Sequence, residues 1–302
     1  MKKYNKDWLK NKTVVISGAS SGIGKGIAKI LITKYNCKVI GIGRNKEKML
    51  NLIEELKENS NNFSYQLFDV SKEENWHKFY DYLTSNNIKI DILINNAGTL
   101  PPFSKESNFT IEDVKDTFNV NFFSYIFASK ILMPNLLQSS TPAIINMCSS
   151  DALCPLVGTS SYSASKGAIK NYTEVMREEN KNIYVGLICP GFIKTDIFRN
   201  QKQKTSKLID FFSMDLHKAS KKIVKGIKKL KKRYVVGLDA KFMDFMYRHF
   251  PKFSLKFFRI WRIILLFEGF KTFILSGWWV FSDSIKFSIF KVNSSKLSIN
   301  HI

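Results

Sequence analysis

A tyrosine and a lysine four residues apart, with a serine upstream, form the strongest chemical signal in this sequence. Tyr162 and Lys166 lie in the segment YSASK, and Ser149 precedes the tyrosine by thirteen residues. Side chains four residues apart share one face of a helix, so the phenol and the ammonium can converge. A tyrosine has an ordinary pKa of about 10, and a nearby ammonium favours its phenolate form. We therefore expect a proton shuttle, with the Ser149 hydroxyl holding a substrate oxygen beside Tyr162.

A glycine-rich segment directly follows the first predicted strand. Residues 17–24 read SGASSGIG and lead into a predicted helix. Glycines let the backbone turn tightly and approach a pyrophosphate closely, and the N-terminus of a helix offers free N–H groups. The alternative is a plain tight turn between a strand and a helix. The residues predicted to bind a dinucleotide here are Gly18, Ser20, Ser21, Gly22, Ile23 and Gly24.

The end of the second predicted strand bears on which dinucleotide binds. It reads Gly43-Arg44-Asn45, with no carboxylate to accept hydrogen bonds from the adenosine ribose. The Arg44 guanidinium instead suits a 2′-phosphate, helped by Ser20 and Lys25. The sequence therefore favours NADP(H) over NAD(H). A solvated residue at the start of a helix is the alternative interpretation of Arg44.

Two further strand ends are predicted to contact the same cofactor. Asp69 and Val70 end the third strand, where a carboxylate can accept from an adenine amino group, although a turn or cap role suits Asp69 equally. The segment NNAG ends the fourth strand, and its small residues let backbone lie against a ribose. The residues predicted to contact the cofactor there are Asn95, Ala97 and Gly98.

Taken together, these motifs resemble the short-chain dehydrogenase/reductase family. The resemblance covers about residues 10–200 and includes PGFIKT at 190–195. It implies that Tyr162 is the acid/base, that Lys166 lowers its pKa, and that both contact the cofactor. It also implies that Ser149 is the ligand of the substrate oxygen, with Ser150 as its rival.

The resemblance extends to two other groups of residues. It implies that Asn121, in FNVNFFSY, orders a water in a proton relay, with Asn119 as the rival. It further implies that a loop after the sixth strand fixes the nicotinamide. The residues of that loop are Pro190, Gly191, Ile193 and Thr195.

The activity implied is hydride transfer between NADP(H) and a carbonyl or secondary alcohol, with ketone reduction as the expected direction. Residues 196–214 correspond to the family's substrate lid and are rich in Ile, Leu and Phe. They favour a lipophilic ketone of the steroid, sphingoid or long-chain type. The alternative is an NADP(H)-binding regulatory or scaffold protein that acts through its basic tail.

Alternating strand and helix patterns must position these residues. Apolar runs predict seven strands, at residues 13–17, 38–43, 63–69, 90–95, 143–149, 183–189 and 234–238. Amphipathic runs predict helices at residues 23–35, 46–58, 73–85, 111–137 and 163–180. Repeated strand–helix–strand units imply a doubly wound parallel sheet of the Rossmann type, which we assign to residues 1–240.

Residues 241–302 are predicted to be a basic, aromatic extension. The formal net charge is +22, and residues 201–262 hold 18 Lys and Arg against 4 Asp. Interleaved aromatic and cationic residues suit a helix lying in the plane of an anionic membrane. The alternative is an extension that packs on the domain or on a second subunit. Nucleic-acid binding is not expected, because no recognition motif accompanies the charge.

Composition indicates where such a protein works. No segment reaches the ~18 uncharged apolar residues of a spanning helix, and the first residues lack the apolar run of a signal peptide. We expect a cytoplasmic protein, peripheral at a membrane. The four cysteines and four histidines show no ligand spacing, so free thiols and no metal are expected. The resemblance also implies a homo-oligomer paired through helices near 111–137 and 158–180.

Overall fold

One parallel sheet organises the part of the chain that the structure describes. The structure is a computed structural model that describes residues 4–195, 197, 213–266, 280–283 and 286–289. The sheet order is β3-β2-β1-β4-β5-β6-β7, with every neighbouring pair parallel. Its strands are β1 (Thr13–Ser17), β2 (Lys38–Gly43), β3 (Phe63–Leu67), β4 (Ile92–Asn95), β5 (Ala143–Met147), β6 (Tyr184–Pro190) and β7 (Arg233–Val236). The predicted doubly wound α/β fold is confirmed.

Helices cover both faces of this sheet. They are α1 (Gly22–Tyr35), α2 (Lys46–Leu56), α3 (Glu73–Ser85), α4 (Ile111–Phe118), α5 (Ser124–Leu136), α6 (Ser160–Glu179) and α7 (Leu216–Lys228). Helices α1, α2 and α7 bury apolar side chains against one face. Helices α3, α5 and α6 do the same on the other face. Because β1, β4, β5 and β6 are covered on both sides, their residues are apolar at nearly every position.

The long helix predicted over residues 111–137 is interrupted. A wide π-helical turn over Asn119–Phe123 separates α4 from α5. The Asn121 side chain lies inside this turn and is bound on both sides: its amide oxygen accepts from the Thr99 N–H at 2.8 Å, and its amide N–H donates to the Ser165 hydroxyl at 3.1 Å. An extra residue in one turn brings Asn121 to these partners, and hydrophobic periodicity does not reveal it.

The predicted boundary at residue 240 falls inside a helix. Helix α8 (Leu238–His249) begins before that boundary, and α9 (Pro251–Leu266) follows it. Met243 and Phe258 are buried against Cys154, which lies in the loop after β5. The described start of the predicted extension therefore packs on the sheet domain.

Two short antiparallel strands lie farther along the chain, β8 (Val280–Asp283) and β9 (Lys286–Ile289). This pair was not among the strands predicted from the sequence. Among the helices that the structure describes, none combines the length and apolarity needed to cross a bilayer.

The packing of α3 gives a test of the core. Trp76 is fully buried, and its indole N–H donates to the Val70 carbonyl at 2.9 Å. We expect Trp76→Ala to lower the free energy of unfolding by about 3–5 kcal/mol, because it leaves a large cavity and an unpaired carbonyl. Urea unfolding followed by circular dichroism measures this. Tyr82→Ala, at a 38% exposed position of the same helix, is the matched control and should cost less than about 1 kcal/mol. Equal losses in the two variants would contradict this account of the core.

Candidate active site

The carboxyl ends of the strands open into a cleft of about 740 Å³. Ligands of open parallel sheets bind at this edge, where the strand order reverses, here between β1 and β4. Most of the residues predicted from sequence meet in this cleft. The predicted residues that line it are Gly18, Ser20, Ser21, Gly22, Ile23, Arg44, Asp69, Val70, Ala97, Gly98, Ser149, Tyr162, Lys166, Pro190, Gly191, Ile193 and Thr195.

The glycine turn has the geometry that a dinucleotide requires. Gly18 and Gly22 adopt φ angles of 70° and 51°, which disfavour any residue with a Cβ. Helix α1 begins at Gly22, and its N-cap residue Ser21 makes no side-chain capping bond, so N–H groups at the helix start remain available to an anion. The cleft is therefore shaped and charged to hold a pyrophosphate-bearing cofactor.

Gly24 does not line the cleft, although it was predicted to bind the cofactor. It lies behind the turn, where an added Cβ would collide with the carbonyl oxygen of Gly18. Its contribution is to let α1 pack closely under the turn. Gly24 thus belongs to the predicted glycine turn, but it does not line the cleft in which the cofactor was predicted to bind.

Asn95 was also predicted to contact the cofactor and does not reach the cleft. It is fully buried, and its amide N–H groups donate to Ser129 at 3.1 Å and to Asn146 at 2.9 Å. The next residue, Asn96, lines the cleft and donates to the carbonyl oxygen of Ser17 at 2.9 Å. Asn95 therefore joins β4 to α5 and β5, while Asn96 fixes the start of the glycine turn.

Two cations lie where β2 ends, in the part of the cleft where the adenosine of the cofactor is predicted to bind. We call this part the adenosine end. Arg44 is 77% exposed and lies 3.9 Å from Asp69, measured from Nη1 to Oδ2. Lys48 also lines this end, which sequence reasoning missed although it lies one helical turn beyond Arg44. Lys25 was expected to assist Arg44, and this is wrong: its ammonium pairs with Glu55 at 2.7 Å and does not line the cleft.

Asp69 and Val70 combine a structural contact with a place in the cleft. The Asp69 carboxylate accepts from the backbone N–H of Ser71 at 3.0 Å and from its hydroxyl at 2.8 Å. The Val70 carbonyl accepts from Trp76. Asp69 is thus a turn residue, the alternative considered from sequence, while it also lines the adenosine end of the cleft.

Lys166 is buried at the base of the opposite end. Its ammonium donates to the Met147 carbonyl at 3.1 Å and to the Tyr125 hydroxyl at 3.4 Å. It lies 5.9 Å from the centre of the Tyr162 ring, one turn earlier on α6. Burial lowers the pKa of Lys166 to about 8. The spacing of four residues thus brings the two side chains together as predicted.

The charge environment of Tyr162 differs from the sequence-based expectation. Its pKa is raised, first by burial and second by the carboxylate of Asp151, and a hydrogen bond with Ser149 opposes them only in part. The lowering of this pKa by Lys166, which the family resemblance implies, stays a prediction. The ammonium is turned toward Met147 and Tyr125, whereas the carboxylate lies in the loop that carries Ser149.

Ser149 follows β5 in a short helical turn and faces the same end of the cleft. Its hydroxyl oxygen accepts from the backbone N–H of Asp151 at 3.1 Å. The predicted strand end at Ser149 is therefore two residues too long, since β5 stops at Met147. Ser150, the rival, lines the cleft as well, so the spacing of thirteen residues remains the argument for Ser149.

Asn121 is fully buried behind Thr99 and does not line the cleft. Its oxygen lies so close to Gly98 that an added Cβ there would sit 3.2 Å from it and 3.5 Å from the Lys166 ammonium. Asn121 and Lys166 therefore both border Gly98. Its rival Asn119 lines the cleft directly. The predicted role of Asn121 in a proton relay stays a prediction.

The loop after β6 is held by a residue that sequence reasoning missed. The Asp239 carboxylate, in the first turn of α8, accepts from the backbone N–H of Phe192 at 2.6 Å. Thr195 lies against the glycine turn, since a Cβ on Gly22 would be 3.5 Å from its methyl group. The partners Asp239 and Phe192 are 47 residues apart, and no local pattern links them.

Apolar side chains also line the cleft. They are Leu100, Phe103, Leu156, Phe192 and Ile197. Of the predicted lid at 196–214, Ile197 and residues 213–214 lie within the described chain, and the remainder lies outside it. Met214 pairs with the loop through hydrogen bonds to Phe192 and Lys194.

Comparisons with known proteins agree with this geometry. A family model for short chain dehydrogenase matches residues 12–206. The chain is 31% identical to 11-beta-hydroxysteroid dehydrogenase-like 2 of Arabidopsis thaliana, over 72% of this chain and 70% of that protein. It is also 31% identical to 11-beta-hydroxysteroid dehydrogenase A of Sesamum indicum, over 62% of this chain but only 53% of that protein, about half its length.

A solved structure gives the same fold. It is the 3-ketoacyl-(acyl-carrier-protein) reductase of Brucella melitensis complexed with NADH, with a TM-score of 0.68 and 22% identity. The match covers 77% of this chain and 98% of that one. Because the family model covers most of the chain and the glycine turn, Tyr162 and Lys166 meet in one cleft, this protein belongs to the short-chain dehydrogenase/reductase family and is an oxidoreductase.

Proposed function

We propose that this protein reduces the carbonyl group of a lipophilic substrate with NADPH. The observation that carries the proposal is the meeting of Tyr162, Ser149 and Lys166 at one end of a cleft whose other end has a glycine turn and two cations. The first end supplies a proton and the second suits a phosphate-rich cofactor.

A nicotinamide cofactor held by the glycine turn and the loop after β6 would supply the hydride that this reduction needs. Tyr162 donates its phenolic proton to the carbonyl oxygen, and the Ser149 hydroxyl holds that oxygen next to the phenol. The Lys166 ammonium stays fixed by Met147 and Tyr125 and stabilises the phenolate that remains. The glycine turn and Thr195 orient the cofactor, which converts a bimolecular encounter into a positioned one.

The preference for NADPH is supported by charge at the adenosine end. Arg44 and Lys48 line that end, and β2 terminates without a carboxylate that would repel a 2′-phosphate. A guanidinium can bind a phosphate with two parallel hydrogen bonds. Asp69 lies 3.9 Å from Arg44 and leaves it 77% exposed, so the guanidinium is accessible to such a ligand.

A lipophilic substrate is supported by the apolar side chains of the cleft. Leu100, Phe103, Leu156, Phe192 and Ile197 line it together with Tyr162. Apolar walls with a few placed polar groups are typical of sites for small organic ligands. Two relatives of the chain are named as hydroxysteroid dehydrogenases. Steroids are one of the lipophilic substrate types proposed here, beside sphingoid and long-chain ketones.

Replacing the proton donor tests the reaction. Tyr162→Phe should lower kcat/KM for NADPH-dependent reduction of an apolar ketone by about 10²–10⁴-fold, because general acid catalysis contributes that much. The measurement is NADPH absorbance across a panel of steroid and long-chain ketones. Tyr172→Phe is the matched control, since Tyr172 lies on the same helix and does not line the cleft. NADPH binding without turnover of any ketone by the native protein would favour the regulatory alternative.

Replacing Arg44 tests the cofactor. Arg44→Ala should weaken NADPH binding by about 10- to 100-fold, the loss expected for charge-assisted hydrogen bonds, and leave NADH binding nearly unchanged. Fluorescence titration with each cofactor measures this. Lys25→Ala is the control, because Lys25 pairs with Glu55 outside the cleft. An equal loss for NADH and NADPH would contradict the preference.

We also propose that the α8–α9 surface lies on an anionic membrane, where lipophilic substrates partition. Phe245, Phe250 and Phe253 are each at least half exposed on these helices. Their two aspartates are already engaged: Asp239 binds Phe192, and Asp244 binds Arg233 and Arg248. The cations on the same helices are Lys241, Arg248, Lys252, Lys256, Arg259 and Arg262. Aromatic side chains among cations match a surface of anionic headgroups.

Vesicle sedimentation of the full chain tests this surface. Binding should require phosphatidylserine, fall with salt, and drop at least about tenfold in the variant F245S/F250S/F253S, because each ring contributes apolar burial. Phe123→Ser is the control, since Phe123 is also an exposed phenylalanine, at 43%, but lies outside these helices, in the turn between α4 and α5. Unchanged binding by the triple variant, or equal binding to neutral vesicles, would refute the proposal. Dimer loss in the triple variant would instead assign the surface to a second copy of the chain.

A further inference from the structure

A buried carboxylate lies in the catalytic end of the cleft without a role in the steps above. Asp151 is 7% exposed and occupies the turn that follows Ser149. It lines the cleft together with Ser149 and Tyr162. Carboxylates are rarely buried unless they are paired with a cation, because desolvation is costly. No ion pair to Asp151 is present among the described residues, so hydroxyl groups must hold it.

Two hydroxyls of the α6 start supply the hydrogen bonds. Thr159 Oγ1 lies 3.1 Å from Asp151 Oδ2, and Ser163 Oγ lies 3.4 Å from the same oxygen. The two hydroxyls are 2.7 Å apart. Both residues are buried on the same side of the helix that carries Tyr162. The carboxylate is therefore fixed to the helix of the proton donor.

Asp151 lies beside Ser149, which shares the cleft with Tyr162. The backbone N–H of Asp151 donates to Ser149 Oγ at 3.1 Å, and Ser163, a partner of its carboxylate, is the neighbour of Tyr162 on α6. Hydrogen bonding to Ser149 lowers the pKa of both Asp151 and Tyr162. A change of charge at Asp151 therefore bears on Tyr162.

The other titratable groups around the phenol are few. Lys166 is on the same helix, Cys148 lies at the end of β5, and Tyr125 lies on α5. Cys154, in the loop after Asp151, has its pKa raised to about 12 by burial and by that carboxylate, so it stays neutral. Burial raises the pKa of Asp151 to about 6, which leaves the group ionised at neutral pH. Of the charges that raise the pKa of Tyr162, the Asp151 carboxylate has the larger effect and the Cys148 thiol the smaller.

We propose that Asp151 is a positioning residue that acts through Tyr162: its hydroxyl-bound carboxylate keeps the phenol protonated and so biases the enzyme toward reduction. Reduction needs a protonated phenol, which gives its proton to the carbonyl oxygen as the carbon receives the hydride. Oxidation needs the phenolate, which takes the proton from the alcohol as the hydride leaves to the oxidised cofactor. A negative charge beside the phenol opposes the phenolate and therefore opposes oxidation.

This inference rests on the proposed function where it concerns reduction against oxidation. The effect of Asp151 on Tyr162 does not depend on which substrate is reduced. Asp151→Asn keeps the shape of the side chain and removes its charge. In the native enzyme, kcat/KM for alcohol oxidation should rise with pH as Tyr162 loses its proton; we call this the alkaline rise. In the variant this rise should occur about one pH unit lower, because a neighbouring like charge shifts a pKa by at least that much. Oxidation at pH 7 should then be about tenfold faster than in the native enzyme.

A second readout needs no turnover. Binding of the oxidised cofactor brings a positive charge near Tyr162 and promotes loss of its proton. Proton release on cofactor binding, followed with a pH indicator in weak buffer, should begin about one pH unit lower in Asp151→Asn than in the native protein. Tyr162→Phe should abolish this release. This measurement decides the inference even if no substrate is turned over, and absent turnover then counts only against the proposed function.

Ser163→Ala is the matched control, because it removes one hydrogen bond to Asp151 and keeps the negative charge. Its oxidation profile should keep the native alkaline rise. Asp151→Ala serves as the second charge-removing variant if Asp151→Asn does not fold, with folding checked by circular dichroism. Profiles of the charge-removing variants that coincide with the native one would overturn the proposal. A raised substrate KM with an unshifted profile would do the same and would assign Asp151 to substrate binding.

Discussion

The burial of one ammonium group determines how the catalytic end is assembled. Lys166 is 3% exposed, and a buried cation is stable only where polar groups replace the lost water. The Met147 carbonyl at the end of β5 and the Tyr125 hydroxyl on α5 provide those groups. β5, α5 and α6 must therefore meet at fixed distances. Gly98 completes the arrangement, because a side chain there would crowd both Lys166 and Asn121.

The spacing of residues along the sequence was enough to predict those parts of the site that a single helix or turn positions. The Tyr162–Lys166 pair follows from helical geometry, and the glycine turn follows from its place between a strand and a helix. The choice between neighbouring residues was beyond local pattern. Asn95 and Asn96 are the same residue type in one motif, yet the pleat of β4 turns the first into the interior and the second toward the cleft. The same holds for Lys25 and Lys48, of which only Lys48 lines the cleft. Lys25 pairs instead with Glu55, and this follows only from the packing of α1 against α2.

Contacts between distant segments account for what sequence reasoning missed. Asp239 reaches back across 47 residues to Phe192, so the loop predicted to fix the nicotinamide depends on the first turn of α8. The same helix begins before the boundary placed at residue 240, and its Met243 packs on Cys154 near the catalytic serine. The change of composition at residue 240 lies within this one helix and does not mark a change of fold, because the apolar side of the helix packs on the domain.

The charges along the cleft explain how one site can hold an anionic cofactor and a neutral substrate. At the adenosine end, Arg44 and Lys48 face solvent-accessible space and carry a net positive charge. At the catalytic end, burial lowers the pKa of Lys166 to about 8 and raises that of Asp151 to about 6. Between these values both groups are ionised and their charges cancel. A polyanion is thus attracted to one end, while the other stays neutral overall and apolar. Within that neutral end, the charge of Asp151 raises the pKa of Tyr162, while the Lys166 ammonium is held by Met147 and Tyr125.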